Sequence, residues 1–309
     1  MKKSFVLFLS FVLLTGFAAC GKKDSAPGKG AAETKKAAAA SMAAAEKELG
    51  IKPGITVSLN MKSIKGSPLY AMVKDKLEGE IGQSDCAKKV LEGVESMVIM
   101  ASSPEGFGGK KNDSEADAGK KESIYIAMHG TDAKAALACM KSSKPEVKDG
   151  KLNGVDALTF EKDGQSGYAW VGAEKTIVMA SGKFAEKVTP GKDVLGKGDV
   201  KPFAGDKSIA FTMGEVEVVK EASGFIDFSK GLMADVSVTL KDEGTAKMAE
   251  QQYEAGKKQA GALPIPGLED MIKSLKFARN GATIAVQLSL STDQVKQLMD
   301  MAKGMGGMM

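Results

Sequence analysis

Residues 276–294 read KFARNGATIAVQLSLSTDQ, and they decide the fold. Asn280-Gly281 is the strongest hairpin signal in the chain, predicting a type I′ turn with positive φ at both central residues. After it, Ile284, Val286, Leu288 and Leu290 alternate with Thr283, Ala285, Gln287 and Ser289. A period of two with one apolar side is a half-buried strand. Ser291 and Gln294 then stand three apart, which predicts a capping box opening a helix with Val295, Leu298 and Met299 turned inward. Strand, tight turn, strand, capped helix is the grammar of an antiparallel sheet carrying helices.

Working back from this hairpin, Leu268, Met271, Ile272 and Leu275 lead into its first strand. Leu263-Pro264-Ile265-Pro266-Gly267 is a break. A helix of small residues is predicted from about Glu243 to Ala260, with Tyr253 as its one large anchor. Val236, Val238 and Leu240 mark a strand that follows Phe225 to Phe228 through a Ser229-Lys230-Gly231 turn. The charged stretch before Phe225 suits a helix, and Ile209, Phe211 and Met213 alternate as a strand before that.

The preceding residues repeat the theme. Ile55, Val57, Leu59 and Met61 alternate with Thr56, Ser58 and Asn60. Pro68, Leu69, Met72, Val73 and Leu77 fall at helical spacing, and Cys86 opens a short helix with Val90 and Leu91 as its buried side. Val94 to Ala101 is a strand. Residues 102–123 form a polar, Gly-rich excursion that reads as a solvated hairpin tip, with Phe107 its one sticky residue. Ile124, Ile126 and Met128 form the next strand face. Thr131 or Asp132 caps a helix through Met140 that carries Cys139. Three strands follow, at Val155 to Glu161, Ser166 to Gly172 and Lys175 to Ala180. A short helix spans Lys183 to Val188, and Thr189 to Gly198 reads as a linker.

Both stretches thus read as strand, helix, hairpin, helix, hairpin, helix, with one extra strand in the first. This predicts an internal duplication, with halves at 51–195 and 196–303 and a Gly/Met tail at 304–309. The expected class is α+β, a mainly antiparallel sheet with helices on one face, since a doubly covered parallel sheet would be continuously apolar.

The chain begins differently. Lys2 and Lys3 precede an apolar run from Phe5 to Leu14, and small residues follow. This is the layout of a cleavable secretory signal over residues 1–19. Phe17-Ala18-Ala19-Cys20 resembles a bacterial lipobox, which implies cleavage after Ala19, lipidation of Cys20 and acylation of its new amine. Gly21 rather than Asp follows, which by the sorting habit of such lipoproteins implies the outer membrane. Residues 20–50 are Ala, Lys and Gly-rich and read as a tether, with a helix-prone piece at 33–49. Beyond the tether, Lys65-Gly66-Ser67-Pro68-Leu69-Tyr70, the Cys86 helix, the strand ending at Gly130 before the Cys139 helix, and the closing strand from Ile284 to Leu290 with its capped helix are similar to uncharacterised lipoproteins of deltaproteobacteria. That resemblance covers about residues 51–303 and implies no particular activity.

The composition excludes more than it proposes. The 309 residues carry a net charge of +4, of which Lys2 and Lys3 supply two, and Arg279 is the lone arginine. Nucleic-acid recognition favours several forked guanidinium groups, so it is not expected. Cys86 and Cys139 are an even pair in an exported chain and are expected to form a disulfide, worth about 4 kcal/mol in the chain-entropy picture. The alternative is two buried free thiols. His129 is the sole histidine and has no nucleophile motif beside it. A zinc site would need more His, Cys or acidic ligands than the chain can spare. Gly191 to Gly198 nearly matches a phosphate loop, but Gly198 stands where Ser or Thr must hold magnesium. Met299, Met301, Met305, Met308 and Met309 could suit Cu(I), yet no His or Cys joins them. Neither catalytic residues, metal nor cofactor are expected.

The expectation is therefore a lipid-anchored extracytoplasmic protein, tied to the membrane through Cys20. It would act as a non-enzymatic binding or structural module at the cell envelope, with a protein partner or hydrophobic ligand. The alternative is a carrier or chaperone for a lipid or lipoprotein acyl chain, whose adaptable lining the Met and Phe residues would supply.

Overall fold

The computed structural model describes residues 51–72, 74, 85–103, 123–191 apart from 163, 173 and 174, 203–261 and 272–306, with six positions between 36 and 47. The expected signal segment, Cys20, the bulk of the 102–123 excursion and most of the phosphate-loop-like stretch lie outside the described residues. Within the expected tether, Lys36, Ala37, Ala39, Ala43, Glu46 and Lys47 are helical and exposed.

Twelve described strands form one antiparallel sheet, in the order β11-β12-β10-β9-β8-β1-β2-β3-β7-β6-β5-β4. They are β1 (Ile55–Asn60), β2 (Ser96–Ala101), β3 (Ile124–His129), β4 (Lys148–Leu152), β5 (Val155–Lys162), β6 (Gln165–Val171), β7 (Thr176–Ser181), β8 (Ile209–Met213), β9 (Val219–Asp227), β10 (Leu232–Leu240), β11 (Lys276–Asn280) and β12 (Thr283–Leu290). Among the described residues, the helices with both ends placed are α1 (Met61–Lys65), α2 (Asp85–Gly93), α3 (Ala133–Ser143), α4 (Lys183–Lys187), α5 (Glu243–Gly261) and α6 (Thr292–Gly306). The class is α+β. The first and second stretches of the chain meet where β1 pairs with β8, Val57 opposite Phe211.

Helices lie on both faces of the sheet, contrary to the expected single face. On β3, Ile126 and Met128 pack with Ala133 and Ala136 of α3, whereas Tyr125 and Ala127 pack with Phe184 and Ala185 of α4. Alternate residues of a strand point to opposite faces, so α3 and α4 are on opposite sides. The cause is that this part of the sheet is apolar on both sides, and each side needs a cover. Tyr125 meets Trp170 and Phe184 edge-on at 6.5 Å, contacts worth about 0.5–1.5 kcal/mol each beyond burial.

Other elements also differ from expectation. The charged stretch before Phe225 is not helical but the first part of β9, because Ala222 and Gly224 are needed as rungs between β8 and β10. A strand is added at Lys148–Leu152, joined to β5 through Asn153 and Gly154 at φ 47° and 84°. That turn has the two positive φ values of type I′. The turn at 280–283 does not, since Asn280 stays in β11 opposite Thr283 and only Gly281, at φ 58°, is left-handed. One positive φ at the first central residue is the pattern of type II′. The final helix runs to Gly306 and so takes in part of the expected tail.

Several helix boundaries follow the sequence closely. Asp132, not Thr131, caps α3 by accepting from the Ala135 amide at 3.0 Å. Ser291 and Gln294 cap α6 reciprocally, at 2.8 and 3.2 Å. Tyr253 is the fully buried anchor of α5, stacked on Phe277 with ring centroids 4.3 Å apart.

Candidate functional site

Directly opposed residues in an antiparallel sheet share a face. One such row crosses the molecule: Phe277, Val286, Val236, Gly224, Phe211, Val57, Ile99, Ile126, Met179, Ala169 and Leu158, one from each strand from β11 to β5. No member is polar. Gly224 is the one gap, where an added Cβ would come 2.5 Å from the Asp235 carbonyl oxygen on β10.

The helices on this face pack over its two ends. α5 sets Ala246 and Tyr253 on Leu240, Phe277 and Ile284. α3 sets Ala133 and Ala136 on Met128 and Ile177, with α2 packed against α3. Between them, Val57, Leu59, Ile99, Ile209, Phe211 and Met213 on β1, β2 and β8 are only half-buried and join none of the described buried clusters. We term this half-covered apolar strip of three strands, about 15 Å across and about 20 Å along the strands, the trough.

The wall at α5 is chemically sided. Arg279 on β11 donates to Glu250 at 2.7 Å and Glu243 at 3.1 Å, which fixes the charged flank of α5 toward the sheet edge. At 100° per residue the opposite flank carries Thr245, Ala249 and Gly256, small and uncharged, and it faces the trough. Charges gather at the trough's ends instead: Lys62 lies 3.4 Å from Glu95 at one end and Lys241 2.8 Å from Glu215 at the other. The Lys241 hydrogen bond holds the Glu215 carboxyl below its usual range.

At the first of these ends, Lys65 locks α1 to α2. Its Nζ donates to the carbonyl oxygens of Leu91, Glu92 and Val94 at 2.6, 2.8 and 2.7 Å, closing the C-terminus of α2. Desolvation pulls the Lys65 ammonium below its usual range, against the opposing pull of Glu92 and Glu95.

The residues singled out from sequence fall elsewhere. Cys139 is buried, 7% exposed, on α3. Cys86 is the second residue of α2, the helix packed on α3, and its side chain lies outside the described residues. His129 closes β3 on the face opposite the trough. Its Nδ1 lies 3.1 Å from Thr176 Oγ1, its Nε2 is buried without a partner, and burial pushes its imidazole below the usual range. Among the described residues no three His, Cys, Asp or Glu side chains come together as a metal cluster. No described helix is long and apolar enough to cross a membrane.

Sequence reasoning missed two buried carboxylates, Asp227 and Asp235, both 6% exposed. Asp235 occupies the polar side of the alternation in Leu232–Leu240, which by itself reads as solvent-facing. Asp227 is held by Ser208 and Ser229 hydroxyls at 3.3 and 3.0 Å, and Ser208 Oγ in turn lies 2.9 Å from Ser63 Oγ on α1. That chain of hydroxyls ties the two stretches of the sheet together beside the β1–β8 seam.

No family model matches the sequence, and no curated protein matches it. Among solved structures the chain is similar to crystal form I of TP0453, with a TM-score of 0.43 and 8% identity, over 82% of this chain and 96% of that one. Crystal form IV of TP0453 gives a TM-score of 0.41 and 7% identity, over 81% and 94%.

Proposed function

We propose that this chain is a lipid-anchored protein of the bacterial envelope that binds an apolar ligand, an acyl chain of a lipid or lipoprotein, in the trough between α2 and α5. The observation that carries the reading is the half-buried apolar floor formed by β8, β1 and β2. An acyl chain has no hydrogen-bonding groups to strand on such a floor, whereas an extended peptide laid flat on it would leave its backbone amides unpaired. The role is non-enzymatic and needs neither cofactor nor nucleic acid.

Anchoring runs through Cys20 at the outer membrane, with the Ala/Lys-rich spacer holding the body away from the bilayer. Several acyl chains on one cysteine anchor far more firmly than a single reversible one. Metabolic labelling with a clickable palmitate should mark the wild type and not Cys20→Ala.

Cys86 and Cys139 pair as a disulfide, a reading supported by the packing of α2 on α3. The body arose by duplication. The support is topological: β1-β2-β3 is a meander followed by α3 and by hairpins whose last strand, β7, pairs with β3, and β8-β9-β10 is followed by α5 and a hairpin whose last strand, β12, pairs with β10.

Solvent extraction and mass spectrometry of the protein purified from membranes in mild detergent test the ligand. Lipid should co-purify near one-to-one beyond the covalent anchor, and an empty protein would refute the reading.

A further inference from the structure

On the side of the sheet away from the trough, Asp235 sits mid-way along β10, opposite Phe225 of β9 and Gln287 of β12. Its Oδ2 accepts from Gln287 Nε2 at 3.1 Å, while Oδ1 is buried with no hydrogen-bond partner. Among the described residues, the charged groups on that face of the neighbouring strands are engaged elsewhere or exposed. Lys207 lies over the Phe225 ring at 5.2 Å, 3.9 Å from Asp227 and 3.4 Å from Asp206. Asp227 is satisfied by Ser208 and Ser229, Glu221 stands opposite Thr239, and Lys276 on β11 stands opposite Gln287 and is exposed. An ionised carboxylate in this position keeps one oxygen buried and, among the described residues, without a cation or donor, which is far costlier than burying the neutral acid.

We propose that Asp235 is a proton-operated latch between β10 and its neighbours β9 and β12: protonated, it lets the three strands close tightly, and ionised, it loosens them. The other face of these strands carries Val236, Val286 and α5, so the latch acts on the α5 wall of the trough from behind.

Burial raises the Asp235 carboxyl above its usual range, and the Gln287 hydrogen bond only partly opposes this. For an acid raised on folding, stability is fully present below the unfolded value of about 3.9 and is lost as pH climbs through the raised one. Each unit of elevation lowers the folded-to-unfolded ratio at neutral pH about tenfold.

The test is denaturant unfolding of the whole chain from pH 4 to pH 8, wild type against Asp235→Asn, with hydrogen exchange at the Val236 and Val286 amides. The variant should be the more stable at pH 7, the gap should close toward pH 4, and the wild-type amides should be protected at acid pH beyond the intrinsic chemistry. A gap of constant size, or a variant weaker at neutral pH, overturns the latch. Carbon-13 titration of the Asp235 carboxyl in the folded wild type gives an independent answer, since a midpoint within or below the ordinary aspartate range also overturns it.

Discussion

Phe211 and Val57 face each other across the β1–β8 pair, one from each stretch of the chain, with their side chains on the trough side. This pair is the point where the two parts of the sheet join and also the centre of the apolar floor. Anything that binds there contacts both parts at once, and any change of twist at the seam changes the floor's shape.

Lys65 holds the C-terminus of α2 through three carbonyls. Lys65→Met keeps the aliphatic stem and removes all three bonds. It should cost about 1–3 kcal/mol, since hydrogen bonds to a charged donor are worth more than neutral ones. Chemical denaturation checks the loss, and exchange at Val94 N–H, which bonds back to Val90 and Leu91, should speed up locally.

His129 is held neutral by burial, its imidazole below the usual range. For a base lowered on folding, the contribution to stability is present above the ordinary value of 6.5 and lost as pH falls through the lowered one. The wild type should therefore lose stability below about pH 6.5, and His129→Gln should flatten that part of the curve. Asp235 acts in the opposite sense, so the two variants should bend the stability profile in opposite directions.

Asn153 and Asn280 precede glycine alike, yet only Asn153 has positive φ. Asn153→Ala should cost about 2 kcal/mol, because alanine pays roughly 1 kcal/mol to enter the left-handed region and the hydrogen bond that Asn153 Nδ2 donates to the Val188 carbonyl at 2.6 Å is lost as well. Asn280→Ala should change little, since Asn280 keeps extended backbone in β11. Paired thermal melts of the two variants measure the difference.

Tyr253 Oη is buried with no hydrogen-bond partner, and desolvation drives its ionisation well above the normal tyrosine range. Tyr253→Phe removes an unsatisfied hydroxyl and keeps the stack on Phe277. The variant should be at least as stable as the wild type in a urea melt, against the usual direction for a core substitution.

Much of the fold was legible because local chemistry and tertiary structure agree along it. The alternation in Ile284 to Leu290, the Ser291–Gln294 cap and the Tyr253 anchor were each readable from a few residues and are each present. The errors arose where a distant partner decided. Asn280-Gly281 would suit a type I′ turn by itself, but pairing Asn280 with Thr283 moves the turn one residue on. The stretch before Phe225 carries charge at helical intervals, yet β8 and β10 both need it as a strand. The trough was not legible, because a half-covered face and a packed one share the same alternation. What distinguishes them is where α3 and α5 land along a twelve-strand order that no local signal encodes. Asp235 was hidden for the related reason that a polar position in a strand does not reveal whether its face meets water.

The most direct measurement is a fluorescence titration of the purified protein with a fatty-acid probe, comparing the wild type with Phe211→Gln on the floor and Met248→Gln on the outer side of α5, where Met248 is 56% exposed. Far-ultraviolet circular dichroism should first show all three equally folded. Binding should then be saturable in the wild type, about tenfold weaker in Phe211→Gln and unchanged in Met248→Gln, a tenfold loss being the 1.4 kcal/mol expected of one polar group set into an apolar contact. Absence of saturable binding, or equal affinity in the wild type and Phe211→Gln, would contradict a trough that holds an acyl chain.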